Sequence, residues 1–328
     1  MRILVTGAAG FIGNALSHAL TARGDCVIGI DNLNDYYDVA LKQARLARMG
    51  DGFTFHRLDF SDGAALDAAL KRERFDAIVH LGAQAGVRYS LENPMAYAQS
   101  NLVGHLAMLE LARHREVGHM VYASSSSVYG GNTKFPFAVE DRADHPVSLY
   151  AATKRADEMM SESYAHLYRT PLTGLRFFTV YGPWGRPDMA LWLFTSAILE
   201  GRPIKVFNDG DMYRDFTYID DIVAGILASL DNPPADDGQE KAGGSTKPHA
   251  LYNIGNNRSE HLGRLIEVIE QACGREAEKV MLPMQAGDVH RTAADIAAIQ
   301  RDLGYAPTTA IEEGVPKFVD WYREWIAR

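Results

Sequence analysis

Cysteine is nearly absent from this chain, whose 328 residues include only Cys26 and Cys273. Two isolated cysteines cannot supply the paired spacings that disulfide frameworks and zinc sites require. The scarcity therefore argues against a disulfide-stapled domain, and we expect no metal site. Because a chain without disulfides is typical of a reducing compartment, we expect a cytoplasmic location.

Long apolar runs and an amino-terminal targeting segment are also missing. No apolar run approaches the ~20 residues that a membrane-spanning helix needs. The first predicted strand begins at Arg2, which leaves no space for a signal peptide. We therefore expect no membrane among the partners.

Positive charge is neither abundant nor clustered. Lysines and arginines number 33 against 42 aspartates and glutamates, and the formal net charge is −9. Because a negative chain repels polyanions, we expect no nucleic acid and no anionic membrane surface as a partner. An anionic small molecule would need a few arginines placed locally against this overall field.

The first half of the chain alternates short apolar runs with amphipathic stretches. The pattern predicts buried strands at 3–5, 27–30, 77–79 and 120–122, and helices at 11–22, 64–71, 95–113 and 148–168. Alternation of this kind predicts an α/β fold with a doubly wound parallel sheet of the Rossmann type.

Turns rich in glycine, proline and aspartate become frequent after residue 178. We assign 1–178 to a Rossmann domain and 179–328 mainly to a smaller carboxyl-terminal substrate domain. The chain is expected to revisit the sheet near 214–231 and 250–256. The composition of 232–248 predicts a mobile surface loop between those two segments.

The segment between the first strand and the first helix has the spacing Gly-x-x-Gly-x-x-Gly. Gly7 permits a tight turn, Gly10 lets backbone N–H groups approach a pyrophosphate, and Gly13 allows close helix packing. Phe11 and Ile12 open the helix, whose unpaired N–H groups and positive dipole end favour phosphate. An ordinary glycine-rich turn is the alternative, but the strand-turn-helix context favours a dinucleotide site.

Asp31 ends the second predicted strand, where a carboxylate binds both hydroxyls of an adenosine ribose and repels a 2′-phosphate. Asn32 follows it, and no arginine stands beside them to bind that phosphate. NAD is therefore favoured over NADP as the cofactor. Asp59 and Phe60 follow the third strand and are candidates for the adenine edge. A turn aspartate beside a core phenylalanine explains this pair nearly as well.

Tyr150 and Lys154 stand four residues apart in a predicted helix, so both point to one face. A fixed cation beside a phenol favours the phenolate and makes it a usable base. Ser125, Ser126 and Ser127 lie at the carboxyl end of a predicted strand, where such sheets bind ligands. Their hydroxyls are candidates for hydrogen bonds to a sugar, although such serines also satisfy the backbone of their own turn.

These features together resemble the extended short-chain dehydrogenase/reductases of the nucleotide-sugar epimerase/dehydratase family. The shared motifs are the glycine turn, Ser-x-x-Val-Tyr-Gly, Tyr-x-x-x-Lys and the Tyr-Gly-Pro at 181–183. The resemblance implies that Ser125 hydrogen-bonds the reacting sugar hydroxyl, that Tyr150 is the base and that Lys154 supports it. It also implies a tightly bound NAD and a UDP-sugar substrate.

Two segments, 82–90 and 178–190, look like those of UDP-glucuronate 4-epimerases, and 35–37 with 41–42 is similar. Related dehydratases and decarboxylases carry an acid immediately before Val-Tyr-Gly, where this chain has Ser127. The resemblance therefore implies C4 epimerisation of UDP-glucuronate to UDP-galacturonate. Three alternatives stay open: a UDP-glucose/UDP-galactose 4-epimerase, a UDP-glucuronate decarboxylase and a non-catalytic dinucleotide-sensing protein.

An enzyme that oxidises a glucuronate at C4 makes a β-keto acid. Such acids lose carbon dioxide once the C–carboxylate bond stands perpendicular to the carbonyl plane. Since a guanidinium holds a carboxylate with two parallel hydrogen bonds, Arg186 and Thr179 are candidates, with Arg88 behind them. Met189 lies in the same resembling segment and is assigned to the substrate site. Alternatively, Arg186 pairs with Asp188 in a loop and touches no substrate.

Family matching assigns the UDP half of the substrate to the second domain. It implies that Arg214 contacts the diphosphate, and that Gln285 and Asp288 contact the uridine ribose or phosphate. Several related epimerases carry an arginine where Gln285 stands, and Arg291 is a candidate to replace it. Phe207 is a candidate to lie on the uracil, or else it belongs to the core.

The family analogy also implies a quaternary structure. Members usually dimerise through paired helices, which correspond here to the predicted helices at 95–113 and 148–168. We therefore expect a homodimer.

Overall fold

The computed structural model describes residues 1–285 and 287–327. Its strands are β1 (Arg2–Thr6), β2 (Cys26–Asp31), β3 (Phe53–Arg57), β4 (Ala77–His80), β5 (His119–Ser125), β6 (Leu172–Phe177), β7 (Thr179–Tyr181), β8 (Ile204–Phe207), β9 (Tyr213–Tyr218), β10 (His249–Ile254), β11 (Ser259–His261) and β12 (Lys279–Leu282). Its α-helices are α1 (Phe11–Ala22), α2 (Val39–Leu46), α3 (Gly63–Ala69), α4 (Tyr89–Glu92), α5 (Pro94–Tyr97), α6 (Gly104–His114), α7 (Leu149–Tyr168), α8 (Ala190–Glu200), α9 (Ile219–Asp231), α10 (Leu262–Cys273), α11 (Ala297–Leu303) and α12 (Ile311–Ile326).

Seven parallel strands form the central sheet in the order β10-β6-β5-β4-β1-β2-β3. In β1, Ile3 and Val5 belong to one hydrophobic core cluster and Leu4 to another, so the strand is buried on both faces. β1 pairs with β2 on one side and β4 on the other. Strand order therefore reverses between β1 and β4, and ligands bind sheets of this type at the carboxyl ends beside such a reversal. The predicted doubly wound parallel sheet is confirmed.

The long helix α7 has clear start and stop signals. Ser148 caps it, because its side chain accepts a hydrogen bond from Ala151 N at 3.1 Å. Arg169 follows the helix in a left-handed conformation with φ of 58°, and Pro171 prevents its continuation. The helix predicted at 148–168 is therefore confirmed to within one residue.

The single helix predicted at 95–113 is wrong in detail. Asn93 caps a short helix, α5, by accepting a hydrogen bond from Ala96 N at 3.3 Å. A π-helical turn, Ala98–Val103, then leads into α6. A Cβ on Gly104 would lie 2.3 Å from the ring of Phe60, so the helix approaches that ring closely at a glycine. Apolar periodicity does not distinguish a π turn from an α turn, which is why the prediction missed it.

One of the two segments that were predicted to revisit the sheet does not enter it. His249–Ile254 pairs with β6 in parallel, as expected. Tyr213–Tyr218 pairs instead with β7 and β11 in a separate three-stranded sheet. Helix α9, which follows it, packs on β5 and α1 of the large sheet. The residue pattern of a buried apolar strand does not show which strands pair with it, so the sequence could not predict the partners of β9.

The carboxyl-terminal helices α8, α10 and α12 pack together beside the small sheet. An aromatic cluster joins two of them: the ring centroid of Trp192 lies 5.4 Å from Trp321 and 5.2 Å from Tyr322. Strands β8 and β12 form a parallel pair at the edge of this region.

Two absences hold for the part of the chain that the structure describes. No helix in it is long and apolar enough to cross a membrane. Within residues 1–285 and 287–327, no group of three or more His, Cys, Asp or Glu side chains could hold a metal ion.

Candidate active site

The glycine turn after β1 leaves no room for side chains. Gly7 has φ of +68°, and a Cβ there would lie 2.9 Å from Gly82 N. Gly10 N donates to Gly7 O at 2.8 Å and closes the turn. A Cβ on Gly13 would lie 2.2 Å from the Gly7 carbonyl oxygen, so α1 packs directly on the turn. No side chain among the described residues caps α1, which leaves the N–H groups of Phe11, Ile12 and Gly13 available to phosphate oxygens.

Asp31 lies at the carboxyl end of β2, beside this turn. Its Oδ2 accepts a hydrogen bond from Ala9 N at 3.2 Å, and its Oδ1 accepts one from Leu33 N at 2.9 Å. Two backbone donors thus orient the carboxylate, which keeps lone pairs for ribose hydroxyls. Lys42 Nζ lies 4.0 Å from Oδ1 but donates to the backbone and side chain of Asn34. The turn and Asp31 together fit the adenosine diphosphate half of NAD.

Asn32 and Asp59 lie next to each other beyond Asp31. Asn32 Nδ2 donates to Asp59 Oδ2 at 2.9 Å. Burial opposes ionisation of Asp59, but hydrogen bonds from Ser61 and Asn32 outweigh it and lower the pKa of Asp59. The ring of Phe60 is buried against Gly82. The side chain of Phe60 is therefore core, and only its backbone is left to meet an adenine.

Tyr150 and Lys154 lie in the first two turns of α7. Tyr150 is partly exposed, and its ring centroid is 6.1 Å from that of Tyr97. Lys154 is 3% exposed, and its Nζ donates to Ala123 O at 2.9 Å and to Asp157 Oδ2 at 3.1 Å. The phenol is thus within reach of a ligand, while the ammonium is held in the interior one turn away.

Asp157 is a buried partner of Lys154 that sequence reasoning missed. It is completely buried, and its Oδ1 has no hydrogen-bond partner among the described residues. Burial raises the pKa of Asp157 to about 7, although the Lys154 ammonium opposes the shift. The available signal was a carboxyl group three residues after Lys154, on the same helix.

Ser125 ends β5 and begins a 3₁₀ turn. Its Oγ accepts a hydrogen bond from Ser127 N at 3.2 Å and still has a proton to donate. Ser126 and Ser127 are partly exposed on the same turn. Ser124 points the other way, since its Oγ donates to the buried Glu158 at 2.5 Å. The turn therefore exposes Ser126 and Ser127 in part, whereas Ser125 is only 7% exposed and Ser124 belongs to the interior.

A buried ion pair supports the serine turn from the interior, and sequence reasoning missed it. Arg176 donates through Nε and Nη2 to both oxygens of Glu158, at 2.8 and 2.9 Å. Burial opposes ionisation of Glu158, but Arg176 prevails and lowers its pKa. Arg176 Nη1 also donates to Tyr129 Oη, which donates to Asn253 Oδ1 at 2.6 Å. Tyr129 therefore belongs to the interior.

Arg186 lies in the loop after β7. Its Nε donates to Asp188 Oδ1 at 3.0 Å, and Tyr36 Oη donates to Asp188 Oδ2 at the same distance. Burial opposes the charge of Arg186, but interactions with Asp188, Tyr36 and Tyr150 raise its pKa. The Arg186–Asp188 pair considered from the sequence is therefore present. Ring contacts through Tyr89 and Tyr97 also connect Tyr36 to Tyr150, which the sequence did not show.

Thr179 and Met189 stand at the two ends of this loop. Thr179 begins β7, opposite Phe216 of β9. Met189 immediately precedes α8 as its N-cap residue. Both residues therefore frame Arg186, and their predicted contacts with a sugar stay predictions.

A second group of predicted substrate residues lies close together, beyond the end of β4. Arg88 Nη2 lies 3.1 Å from Asp288 Oδ2, and its guanidinium carbon is 5.0 Å from the ring centroid of Phe207. Arg214 Nη1 donates to His290 O at 3.1 Å. Burial lowers the pKa of Arg214, while Asp288 opposes the shift and Arg88 reinforces it. The structure thus brings Arg88, Phe207, Arg214 and Asp288 together.

Arg88 lies among residues that the sequence assigned to the UDP half of the substrate. It was expected behind Arg186, at the sugar carboxylate. A Cβ on Gly287 would lie 3.2 Å from Val87 Cγ1, so the chain at 87–88 crosses to the loop that carries Asp288. This long-range contact directs Arg88 to the predicted UDP residues instead.

Gln285 and Arg291 have different surroundings. Gln285 Oε1 is buried without a hydrogen-bond partner among the described residues, and its neighbour Ala286 lies outside them. The Arg291 guanidinium carbon lies 5.5 Å from the ring centroid of Tyr213 and 5.4 Å from that of Phe135. Arg291 therefore flanks the strand that carries Arg214, and its predicted role stays a prediction.

The sequence matches one protein family and is similar to several known proteins. A sequence model of the NAD dependent epimerase/dehydratase family matches residues 3–255. A probable UDP-glucuronate 4-epimerase of Rhizobium meliloti is 49% identical over 330 residues, which cover 98% of this chain and 97% of that protein.

Two crystal structures are similar over nearly the full chain. UDP-glucuronic acid 4-epimerase from Bacillus cereus, in complex with UDP-glucuronic acid and NAD, is 32% identical with a TM-score of 0.89 and covers 99% of this chain and 100% of that chain. UDP-glucose 4-epimerase from Thermotoga maritima, with UDP-glucose, is 29% identical with a TM-score of 0.88 and has the same coverage.

Proposed function

Because the chain belongs to the NAD dependent epimerase/dehydratase family, we propose that it inverts C4 of UDP-glucuronate and so forms UDP-galacturonate. The named relative from Rhizobium meliloti and the Bacillus cereus complex support this substrate. The observation that carries the choice is the placement of Arg186. Its partner Asp188 accepts a hydrogen bond from Tyr36, and ring contacts through Tyr89 and Tyr97 connect Tyr36 to Tyr150. A cation at that place suits an acidic hexose better than a neutral one.

Tyr150 removes the proton from the 4-hydroxyl of the sugar, and Ser125 hydrogen-bonds the same oxygen. Lys154 holds a positive charge one helical turn from the phenol and binds the ribose of the nicotinamide. When bound, NAD accepts the hydride from C4 and returns it to the opposite face of the sugar. Tyr150 then gives the proton back, so the cofactor and the base are both regenerated.

The substrate carboxylate must be held while C4 is a ketone. Arg186 and Thr179 bind it. They keep the C–carboxylate bond from standing perpendicular to the plane of the C4 carbonyl group, the orientation in which carbon dioxide is lost. Ser127 stands where related decarboxylases carry an acid, so the serine turn supplies no acidic group to promote that loss. Met189 borders the same part of the site.

The UDP half binds to the group formed by Arg88, Phe207, Arg214 and Asp288. The two guanidiniums neutralise the diphosphate, and the Phe207 ring offers an apolar face for uracil. Gln285 and Arg291 lie beside this group, and we assign them to the uridine ribose or phosphate. With UDP anchored here, the flat 4-keto sugar rotates about its link to the diphosphate and presents its other face.

The protein acts as a homodimer in the cytoplasm. Large apolar side chains are exposed on α6 and α7, including Leu106 at 42%, Met159 at 63% and Leu167 at 61%. These two helices pack against each other, so their exposed faces form one surface that a second copy would cover.

The deciding experiment is a product assay with UDP-glucuronate that separates UDP-galacturonate from a UDP-pentose, with UDP-glucose assayed in parallel. We expect UDP-galacturonate without carbon dioxide. Release of UDP-pentose as the main product would identify a decarboxylase. Faster turnover of UDP-glucose would identify a neutral-sugar epimerase, and bound NAD without any turnover would identify a dinucleotide sensor.

A further inference from the structure

Arg45, at the end of α2, is completely buried and is not paired by a hydrogen bond to a carboxylate among the described residues. Its Nη1 donates to Ala9 O at 3.1 Å and to Tyr37 Oη at 2.7 Å. Its Nη2 donates to Trp184 O at 2.6 Å and to Gly185 O at 3.1 Å, and its Nε donates to Trp184 O at 3.2 Å. One guanidinium thus bridges segments that are about 175 residues apart, the span between Ala9 and Gly185.

The two bridged segments belong to the proposed cofactor site and to the proposed sugar site. Ala9 belongs to the glycine turn, and its N–H donates to Asp31. Trp184 and Gly185 immediately precede Arg186. We infer that Arg45 is a positioning residue that couples NAD binding at the glycine turn to the placement of Arg186. This inference rests on the proposed function, because the role of Arg186 comes from it.

The backbone of the bridged loop needs such support. Trp184 has φ of 64°, a left-handed conformation that a non-glycine residue adopts only when its surroundings hold it there. Two N–H groups of Arg45 converge on the Trp184 carbonyl, and a third meets Gly185. Lysine keeps the positive charge but cannot reproduce this planar fork.

The charge of Arg45 suits the cofactor end of the bridge. Its hydrogen-bond acceptors are backbone carbonyls and a phenol, so no carboxylate neutralises it by direct contact within the described part of the chain. Burial lowers the pKa of Arg45, while Tyr37 and Asp31 oppose the shift. A guanidinium stays protonated in proteins, so a positive charge lies behind the turn that meets the dinucleotide phosphates.

The test compares three variants of the NAD-loaded protein in two measurements. The first measurement is the rate at which bound NAD is lost during dilution and gel filtration. The second is the fraction of UDP-pentose among the products from UDP-glucuronate. We expect Arg45→Lys to raise the rate of NAD loss about tenfold and to form UDP-pentose, which the unmodified protein does not release. Asp31→Asn should raise only the rate of NAD loss, and Arg186→Lys should raise only the UDP-pentose fraction.

The inference is overturned if Arg45→Lys folds and changes only one of the two measurements, or neither. Should Arg45→Lys fail to fold, Tyr37→Phe removes a single acceptor of the same guanidinium and keeps the loop contacts. It should raise the rate of NAD loss about threefold and form detectable UDP-pentose, and an unchanged Tyr37→Phe protein would overturn the inference as well.

Failure of the proposed function is recognised separately, because the unmodified protein would then form no UDP-galacturonate. The coupling is read in that case from amide hydrogen exchange at 184–186 in the NAD-loaded proteins. Exchange there should be about tenfold faster in Arg45→Lys and unchanged in Asp31→Asn. Equal exchange in the unmodified protein and Arg45→Lys would contradict the coupling.

Discussion

Tyr150 and Lys154 differ in their surroundings although one helical turn separates them. Tyr150 is partly exposed at the start of α7, whereas Lys154 is 3% exposed and has two fixed acceptors. This arrangement suits a base that must contact a substrate and a cation that must keep its position. Asp157 contributes to it, since its carboxyl group holds the ammonium from the interior.

Replacing Tyr150 with phenylalanine removes the hydroxyl group that exchanges a proton with the substrate. We expect turnover of UDP-glucuronate to fall about 10²–10⁴-fold, because general base catalysis contributes that much. Bound NAD and affinity for the UDP-sugar should not change, as measured by the absorbance of the released cofactor and by calorimetry. Tyr164→Phe on the same helix, where the hydroxyl binds Glu110, is the control and should retain normal turnover.

Asp157 predicts a particular dependence of stability on pH. Its pKa is about 7 in the folded protein, raised by burial against the opposing charge of Lys154, and ~3.9 in an unfolded chain. The folded state therefore binds the additional proton between these values, so stability falls as pH rises from about 4 to about 7. Above that range the contribution is constant.

The measurement is urea unfolding of the wild type and Asp157→Asn at about pH 5 and about pH 8. The wild type should lose about 1–3 kcal/mol relative to the variant between these two conditions. Asp51→Asn, in an exposed turn, is the control and should follow the wild type. A wild type that gains stability relative to Asp157→Asn on raising the pH would contradict this account.

At the scale of elements, the Arg176–Glu158 pair ties strand β6 to helix α7. Arg176 extends the connection through Tyr129 to Asn253 of β10, and Glu158 extends it to Ser124 of β5. Four elements therefore meet directly behind the serine turn. The turn keeps its shape because its supports are buried and hydrogen-bonded.

Glu158→Gln leaves the Arg176 guanidinium buried without a counter-charge. We expect a loss of about 3–5 kcal/mol in the free energy of unfolding, measured by urea titration. Glu200→Gln is the matched control, because Glu200 pairs with Arg202 on the surface with half of its side chain exposed. Its cost should stay below about 1 kcal/mol, and similar costs for both changes would show that the buried pair contributes little.

At the scale of the whole molecule, α6 and α7 carry an apolar surface that contacts water when the chain is alone. Leu106, Met159 and Leu167 would each lose contact with water in a dimer built on this surface. The expected association places α7, which carries Tyr150, at the core of the assembly.

Met159→Glu introduces a charge into that surface. We expect light scattering after gel filtration to give the mass of a dimer for the wild type and of a single chain for the variant, because an interface tolerates no unpaired buried charge. Leu193→Glu, at an exposed apolar position on α8, is the control and should remain dimeric. A single-chain mass for the unmodified protein would end the proposal of a homodimer.

The parts of the fold that were predictable are those encoded within one strand-turn-helix segment. The glycine turn, the start of α1 at Phe11 and the extent of α7 follow from local spacing, caps and periodicity. The π turn before α6 was not predictable, because the same apolar residues are compatible with an α-helix. The partner strands of β9 were not predictable either, since a buried strand has the same pattern in any sheet.

For the site, the sequence by itself determined the local arrangement of the groups proposed to carry the chemistry. Gly7, Asp31, Ser125, Tyr150 and Lys154 all stand in short motifs whose spacing follows from one turn or one helix. Only the tertiary structure decided how distant segments complete them. The contacts of Arg45 with Trp184, of Tyr36 with Asp188 and of Arg88 with Phe207 each join residues more than 100 positions apart. Such contacts depend on how whole elements pack, and side-chain periodicity contains no information about that packing.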